Sequence, residues 1–273
     1  MYDNMKIPIQ TVTTAGFSMD YICFGNGAET MVILPGLSVQ SVLPQAKAIA
    51  KQYARFTDDY TVFLFDRRKE LPPVYTVEDM ANDTAAAFES LGLENIYLFG
   101  ASQGGMIAML IVLDHPHLVK KLALGCTAAR LPAAQAEVFN AWLHFAATGE
   151  RKKLYECFAE AIYPPALFKK YRPMLGLMAK GVTQEDLKRF ITLAEGTAAY
   201  DILERVPAIR QPVLVLGAED DGVLGPQAAK ELAAALKNNP HASSHIYEPG
   251  YGHAAYDTAP DFGKRVFRFF SDK

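Results

Sequence analysis

Residues 95–108 read NIYLFGASQGGMIA, and the fold depends on what this run does. Ile96 to Phe99 is an uninterrupted apolar stretch of the length expected for a strand buried on both faces. From Met106 the pattern becomes helical and continues to Pro116. Between the two lie Gly100-Ala101-Ser102-Gln103-Gly104. A serine on a sharp turn from strand into helix has its hydroxyl held out as a nucleophile. Flanking glycines suit such a turn, because the backbone is strained there and neighbouring backbone comes too close for a Cβ. Serine is also a favoured helix N-cap, so the motif alone has a second, purely structural reading.

Outward from this run, short strand-like segments alternate with helical ones. IPIQTV (7–12) and FSMDYICF (17–24) read as a hairpin, and TMVILPG (30–36) reads as a buried strand that stops at Pro35-Gly36. SVLPQAKAIAKQYA (41–54) has helical spacing, and TVFLFD (61–66) is strand-like. TVEDMANDTAAAFESLGL (76–93) opens with Thr76-x-x-Asp79, a helix-capping pattern. VKKLALGC (119–126), PVLVLG (212–217) and SSHIYEP (243–249) are further strands, with a helix starting near Pro226 and a last amphipathic helix ending RVFRFF (265–270). Strands separated by helices imply parallel pairing through right-handed crossovers.

From about residue 131 to 207 the strand signal disappears. The segment holds helical patterns rich in aromatics, among them Phe139, Trp142, Phe145, Phe158 and Phe168, interrupted by Pro164-Pro165 and Pro173. It reads as a helical insertion between two strands of one sheet. A chain of 273 residues, half of them apolar, fits one α/β body with such an insertion better than two independent domains.

Net charge is −3, from 27 Lys and Arg against 30 Asp and Glu, with no block of either sign. No footprint for nucleic acid is present. The start MYDNMKIPIQ lacks the basic-then-apolar pattern of an export signal, and no apolar stretch reaches the ~20 residues that span a bilayer, so a cytoplasmic protein is expected. Cys23, Cys126 and Cys157 are far apart and without CxxC spacing, which predicts reduced, mostly buried thiols.

A serine hydroxyl is a weak nucleophile and needs a base, usually a histidine oriented by a carboxylate. Of six histidines, His253 is best placed, in Pro249-Gly250-Tyr251-Gly252-His253 after a strand. His115 and His117 flank Pro116 at a helix end, His144 lies in the insertion, and His241 and His245 bracket a strand start. The acid should follow a strand between Ser102 and His253 in sequence, where Glu219, Asp220 and Asp221 stand consecutively. The backbone N–H of Gln103, first in the helix, is a candidate donor to a developing oxyanion.

The chain resembles the α/β-hydrolase superfamily over essentially its whole length. The resemblance rests on VILPGL (32–37), LFDRRKE (64–70), LFGASQGGMIA (98–108), PVLVLGAEDDGVLGP (212–226) and EPGYGHAAYDTAPDFGKRVFRFF (248–270), in that order. It implies an α/β fold with a doubly wound, mostly parallel sheet of about eight strands. Residues 1–130 and 208–273 would form the core domain and 131–207 a helical cap. It implies Asp221 as the acid, since that residue lies nine after Pro212 and directly precedes Gly222-Val223; counting from Gly217 leaves Asp220 as the alternate, the other being a solvated loop carboxylate. It also implies the N–H of Leu37 as a second oxyanion donor, although Pro35-Gly36 replaces the usual His-Gly. Asp66-Arg67-Arg68 stands where the family often has Asp-x-Arg-Gly, and it reads here as loop, with an ion pair behind the site.

The expected activity is hydrolysis of an ester or related acyl bond of a small, fairly apolar molecule by Ser102, His253 and an aspartate. No metal or organic cofactor is needed. Trp142 and Phe145 in the cap are expected to line the substrate pocket. The same residue set also serves C–C hydrolases, lactonases, peptidases and cofactor-free haloperoxidases, and a non-catalytic small-molecule-binding member of the fold is the reading from another class. The expected partners are a small-molecule substrate and at most a second copy of the chain, as monomer or homodimer, with neither nucleic acid nor membrane.

Overall fold

The computed structural model describes residues 6–272. Eight strands form one sheet: β1 (Ile9–Thr13), β2 (Ser18–Phe24), β3 (Glu29–Leu34), β4 (Tyr60–Arg68), β5 (Ile96–Ala101), β6 (Val119–Gly125), β7 (Val213–Ala218) and β8 (Ala242–Tyr247). Their spatial order is β1-β2-β4-β3-β5-β6-β7-β8. β1 and β2 pair antiparallel as the expected hairpin, β2 joins β4 antiparallel, and all pairings from β4 to β8 are parallel. Every residue of β5 and of β7 is buried, which is why these strands read as continuous apolar runs.

Helices cover both faces. α2 (Val77–Ser90), α3 (Gln103–Asp114) and α8 (Ala228–Ala235) contribute to one apolar core. α1 (Ala46–Gln52), the short α9 (Ala255–Thr258) and α10 (Phe262–Ser271) contribute to the core on the other side. In α10, Phe262, Val266 and Phe270 are spaced four apart and form one buried stripe, while Lys264 and Arg268 face away from the core. Thr76 and Asp79 form a reciprocal capping box at the start of α2.

The sheet order reverses at β3. From β3 the chain crosses to β4 on one side, and it later returns to place β5 on the other. The carboxyl ends of β3 and β5 therefore flank a switch point, where an open α/β sheet has its natural crevice. β3 ends at Leu34, just before Pro35-Gly36-Leu37, and β5 ends at Ala101, just before Ser102.

Between β6 and β7 run α4 (Ala136–Ala147), α5 (Arg151–Ile162), α6 (Pro165–Lys180) and α7 (Gln184–Glu195). The excursion leaves and returns at neighbouring points: Arg130 and Asp201 form an isolated bridge, Leu131 N–H donates to Tyr200 O, and Ile202 N–H donates to Ala129 O. Pro164 and Pro165 open α6, but Pro173 lies inside that helix without ending it. A second departure from the sequence reading concerns Asp66-Arg67-Arg68. These residues are not loop but the last three of β4, because β2 pairs alongside through Met19 and Arg68. Among the described residues no helix is long and apolar enough to cross a membrane.

Candidate active site

Ser102 sits between β5 and α3 with φ 50° and ψ −123°, a strained conformation for a residue with a Cβ. The glycines around it are sterically required. A Cβ on Gly104 would lie 2.0 Å from Leu34 O, and one on Gly100 would lie 2.4 Å from Gly104 O. The backbone is held on both sides: Ser102 N–H donates to Gly125 O at 2.9 Å, and Thr127 Oγ1 donates to Ser102 O at 2.7 Å. The Ser102 side chain makes no capping bond to α3. Its Oγ lies instead 2.9 Å from His253 Nε2.

His253 is presented by the loop after β8, where Gly250 and Gly252 take φ of 124° and 65°. A Cβ on Gly252 would lie 2.7 Å from Ile162 O, so this loop packs against the end of α5 as closely as glycine allows. His253 Nδ1 is 2.9 Å from both carboxylate oxygens of Asp221. Asp221 Oδ1 also accepts the N–H groups of Val223 and Leu224 at 2.9 and 2.8 Å, which fix the carboxylate plane. Histidine and aspartate are both buried, at 2% and 7% exposure. An ionised carboxylate only accepts, so Nδ1 carries the proton and Nε2 is left to accept from Ser102 Oγ–H.

Asp220 does not contact the histidine ring, nor is it the solvated loop carboxylate expected for the residue not serving as acid. Its two oxygens accept the N–H groups of Gly250 and Gly252 at 2.7 and 3.0 Å. Backbone donors in a glycine loop have no other partner nearby, and Asp220 ties that loop to the end of β7. Glu219, the third carboxylate, is on the surface and pairs with Lys230.

Ser102, Gln103, Gly36, Leu37 and His253 line one side of a chamber. Among the described residues, the N–H groups of Leu37 and Gln103 have no hydrogen-bond acceptor. Phe139 and Trp142 of α4 and Phe158 and Ile162 of α5 line the other side. Phe145, expected beside Trp142, is not part of this lining. At 100° per residue it is turned roughly 60° from Trp142 and ~120° from Phe139, and it faces Lys153, whose Nζ is 5.8 Å from the ring centre. In sequence, Phe139 and Phe158 appear only among the aromatics of the insertion and Ile162 not at all, because four amphipathic helices offer many apolar stripes and only packing shows which faces the serine.

Arg67 is a further residue that sequence reasoning overlooked. Its side chain is 4% exposed and lies behind the elbow, where Nη2 donates to Pro35 O at 2.8 Å and to Gln103 Oε1 at 3.0 Å. Burial pulls its guanidinium down to about 10. The expected ion pair is present but belongs to Asp66, which meets Arg189 of α7 at 3.1 Å.

Cys126, just past β6, is fully buried, and burial holds its thiol well above the ordinary range. It is therefore a poor nucleophile. Cys23 and Cys157 are half-buried, and all three cysteines are free. Among the described residues no group of three or more His, Cys, Asp and Glu side chains could hold a metal ion.

A model of the alpha/beta hydrolase family matches residues 31–262. The Stutzerimonas stutzeri protein named "Putative carbamate hydrolase RutD" is 26% identical over 259 residues, covering 84% of this chain and 86% of that one. The solved structure of MGS-M2, an alpha/beta hydrolase enzyme from a Medee basin deep-sea metagenome library, superposes with a TM-score of 0.85 at 21% identity, over 97% of this chain and 98% of that one. The enol-lactonase from Burkholderia xenovorans LB400 superposes with a TM-score of 0.80 at 19% identity, over 96% and 100%. At these identities the two structures speak for the fold alone.

Proposed function

The chain belongs to the alpha/beta hydrolase family, and from that premise we propose that it is a serine hydrolase cleaving an ester or related acyl bond of a small, fairly apolar substrate. The observation that carries this reading is the unbroken relay from Ser102 Oγ through His253 to the Asp221 carboxylate, each link 2.9 Å. Binding alone needs no such alignment, and a nucleophile cannot do without it.

In this mechanism Ser102 Oγ attacks the substrate carbonyl carbon while its proton passes to His253 Nε2. The carbonyl π pair moves onto oxygen, and the resulting oxyanion accepts from the N–H groups of Leu37 and Gln103, both otherwise without an acceptor. Asp221 stabilises the imidazolium. Collapse of the intermediate expels the alcohol, which takes the proton from Nε2 and leaves an acyl group on Ser102. Water, deprotonated by the same nitrogen, then releases the acid and restores the serine. Residues 131–207 act as the cap, with Phe139, Trp142, Phe158 and Ile162 giving the chamber its apolar wall.

Esters, lactones and carbamates present the same electrophilic carbon, and RutD's name makes carbamates a class worth including in the substrate panel. The test is mass spectrometry of the protein quenched in acid during turnover of p-nitrophenyl butyrate. One butyryl group on the peptide containing Ser102 is expected. An adduct on another residue, or no hydrolysis of any ester, lactone or carbamate, contradicts the reading.

A further inference from the structure

A second, larger space, open to solvent, lies beside the chamber at Ser102. It is a groove that runs between residues 38–45, which follow Leu37, and helices α5 and α6. Two side chains, Phe158 and Ile162, line both spaces. They form a common wall between the two spaces.

The lining of that groove is more apolar than polar. Val39, Val42, Ala159, Met174, Leu175 and Met178 supply much of its lining. Its one charged residue, Asp186, is already occupied: the carboxylate accepts from Thr183 N–H, Thr183 Oγ1 and Gln40 Nε2. Gln40 in turn accepts from Tyr155 OH, so the polar groups along this edge satisfy one another. Ser38, Ser41, Gln45, Tyr163 and Tyr171 add uncharged polar groups to the lining.

The rim is apolar too. Met174, Leu177 and Met178 of α6 are 60%, 73% and 45% exposed, and they are three of the five large hydrophobic side chains exposed among the described residues. Large apolar groups gathered on one stretch of surface mark a place of contact. Methionine is unbranched and conformationally adaptable, which suits a flexible chain better than a rigid ring.

We propose that this groove is the acyl subsite: a linear saturated chain, attached to the carbonyl at Ser102, passes between Phe158 and Ile162 and lies along residues 38–45 and α6. The substrate class is then esters of medium- or long-chain fatty acids. This rests on the serine-hydrolase reading above and specifies which side of the substrate the enzyme selects.

The experiment measures kcat/KM for p-nitrophenyl acetate, butyrate, octanoate and dodecanoate, with fluorophosphonate labelling of Ser102 as control. Burying each added methylene is worth up to about fourfold, so octanoate should exceed acetate by about a hundredfold or more in the native protein. The double variant Met174→Glu/Met178→Glu puts two carboxylates on the exposed rim and should lower the octanoate-to-acetate ratio at least tenfold. General damage to the fold would lower both rates and leave that ratio alone. Labelled protein with a flat or falling chain-length profile overturns the acyl subsite but not the hydrolase reading. Absence of both labelling and turnover overturns the two together. If the variant keeps the native ratio and instead changes the oligomeric state, the α6 face is a contact between copies of the chain and the proposal is wrong.

Discussion

Arg67 and Gln103 are joined behind the turn that carries Ser102: Nη2 of the arginine donates to Oε1 of the glutamine at 3.0 Å. The same nitrogen donates to Pro35 O at 2.8 Å, two residues before Leu37. One buried side chain thus ties together the two backbone segments whose N–H groups would meet an oxyanion. Gln103 Nε2 extends the network to Leu193 O and Thr197 Oγ1, both at 2.8 Å, and so to the end of α7.

Replacing Arg67 by methionine keeps the bulk and removes both bonds. Loss of a single oxyanion donor costs on the order of a hundredfold or more in kcat. Arg67→Met is therefore expected to lower kcat for p-nitrophenyl butyrate by about a hundredfold with KM changed less than threefold. A variant that folds and keeps native kcat removes Arg67 from the account.

Asp221 and Asp220 should separate cleanly. Asp221→Asn loses the charge facing His253 Nδ1 and permits the wrong tautomer, at a cost of up to about ten-thousandfold in turnover. Asp220→Asn retains only one acceptor for the two glycine N–H groups and loosens the histidine loop. A loss of about tenfold is expected, because the ring keeps its own partners. Equal losses at the two positions would mean that the loop, rather than the contact with the ring, sets the rate.

Much of this arrangement is legible in sequence, and the exceptions share a cause. The elbow is local: Ile96 to Gly104 contains the strand, the turn glycines and the serine. Asp221 and His253 each follow a strand, so their approach to Ser102 comes from sheet order. The role of Asp220 depends on donors about thirty residues further along, at Gly250 and Gly252. In sequence, Asp66-Arg67-Arg68 reads as loop with an ion pair behind the site, which does not reveal that Arg67 is buried. Its burial depends on α7, where Arg189 caps the carbonyl of Arg68 and pairs with Asp66. Phe145 fails as a pocket residue because helical periodicity identifies an apolar stripe but not the partner it faces.

The elbow glycines are expected to tolerate no side chain. In Gly104→Ala the new Cβ would approach Leu34 O to 2.0 Å, and the backbone on both sides is fixed by the sheet and α3. Overpacking of this kind costs about 3 kcal/mol, or roughly 10 °C in Tm for a domain of this size. Thermal unfolding followed by circular dichroism checks this, and an unchanged Tm would mean that β3 can move aside.

Cys126 should resist alkylation. A thiol pushed up by burial carries little thiolate at pH 8, and it sits at 1% exposure. Iodoacetamide followed by peptide mapping should leave Cys126 unmodified in native protein and alkylate it in urea. Rapid native modification would show that the region beneath Asp221 opens.

The central claim is that Ser102 is the nucleophile, and fluorophosphonate labelling of native protein and Ser102→Ala tests it most directly. The Oγ is removed while the backbone bonds to Gly125 and Thr127 remain. One adduct on the peptide containing Ser102 is predicted in the native protein, with none in the variant and ester turnover down by several orders of magnitude. Full labelling of a folded Ser102→Ala protein would contradict the account.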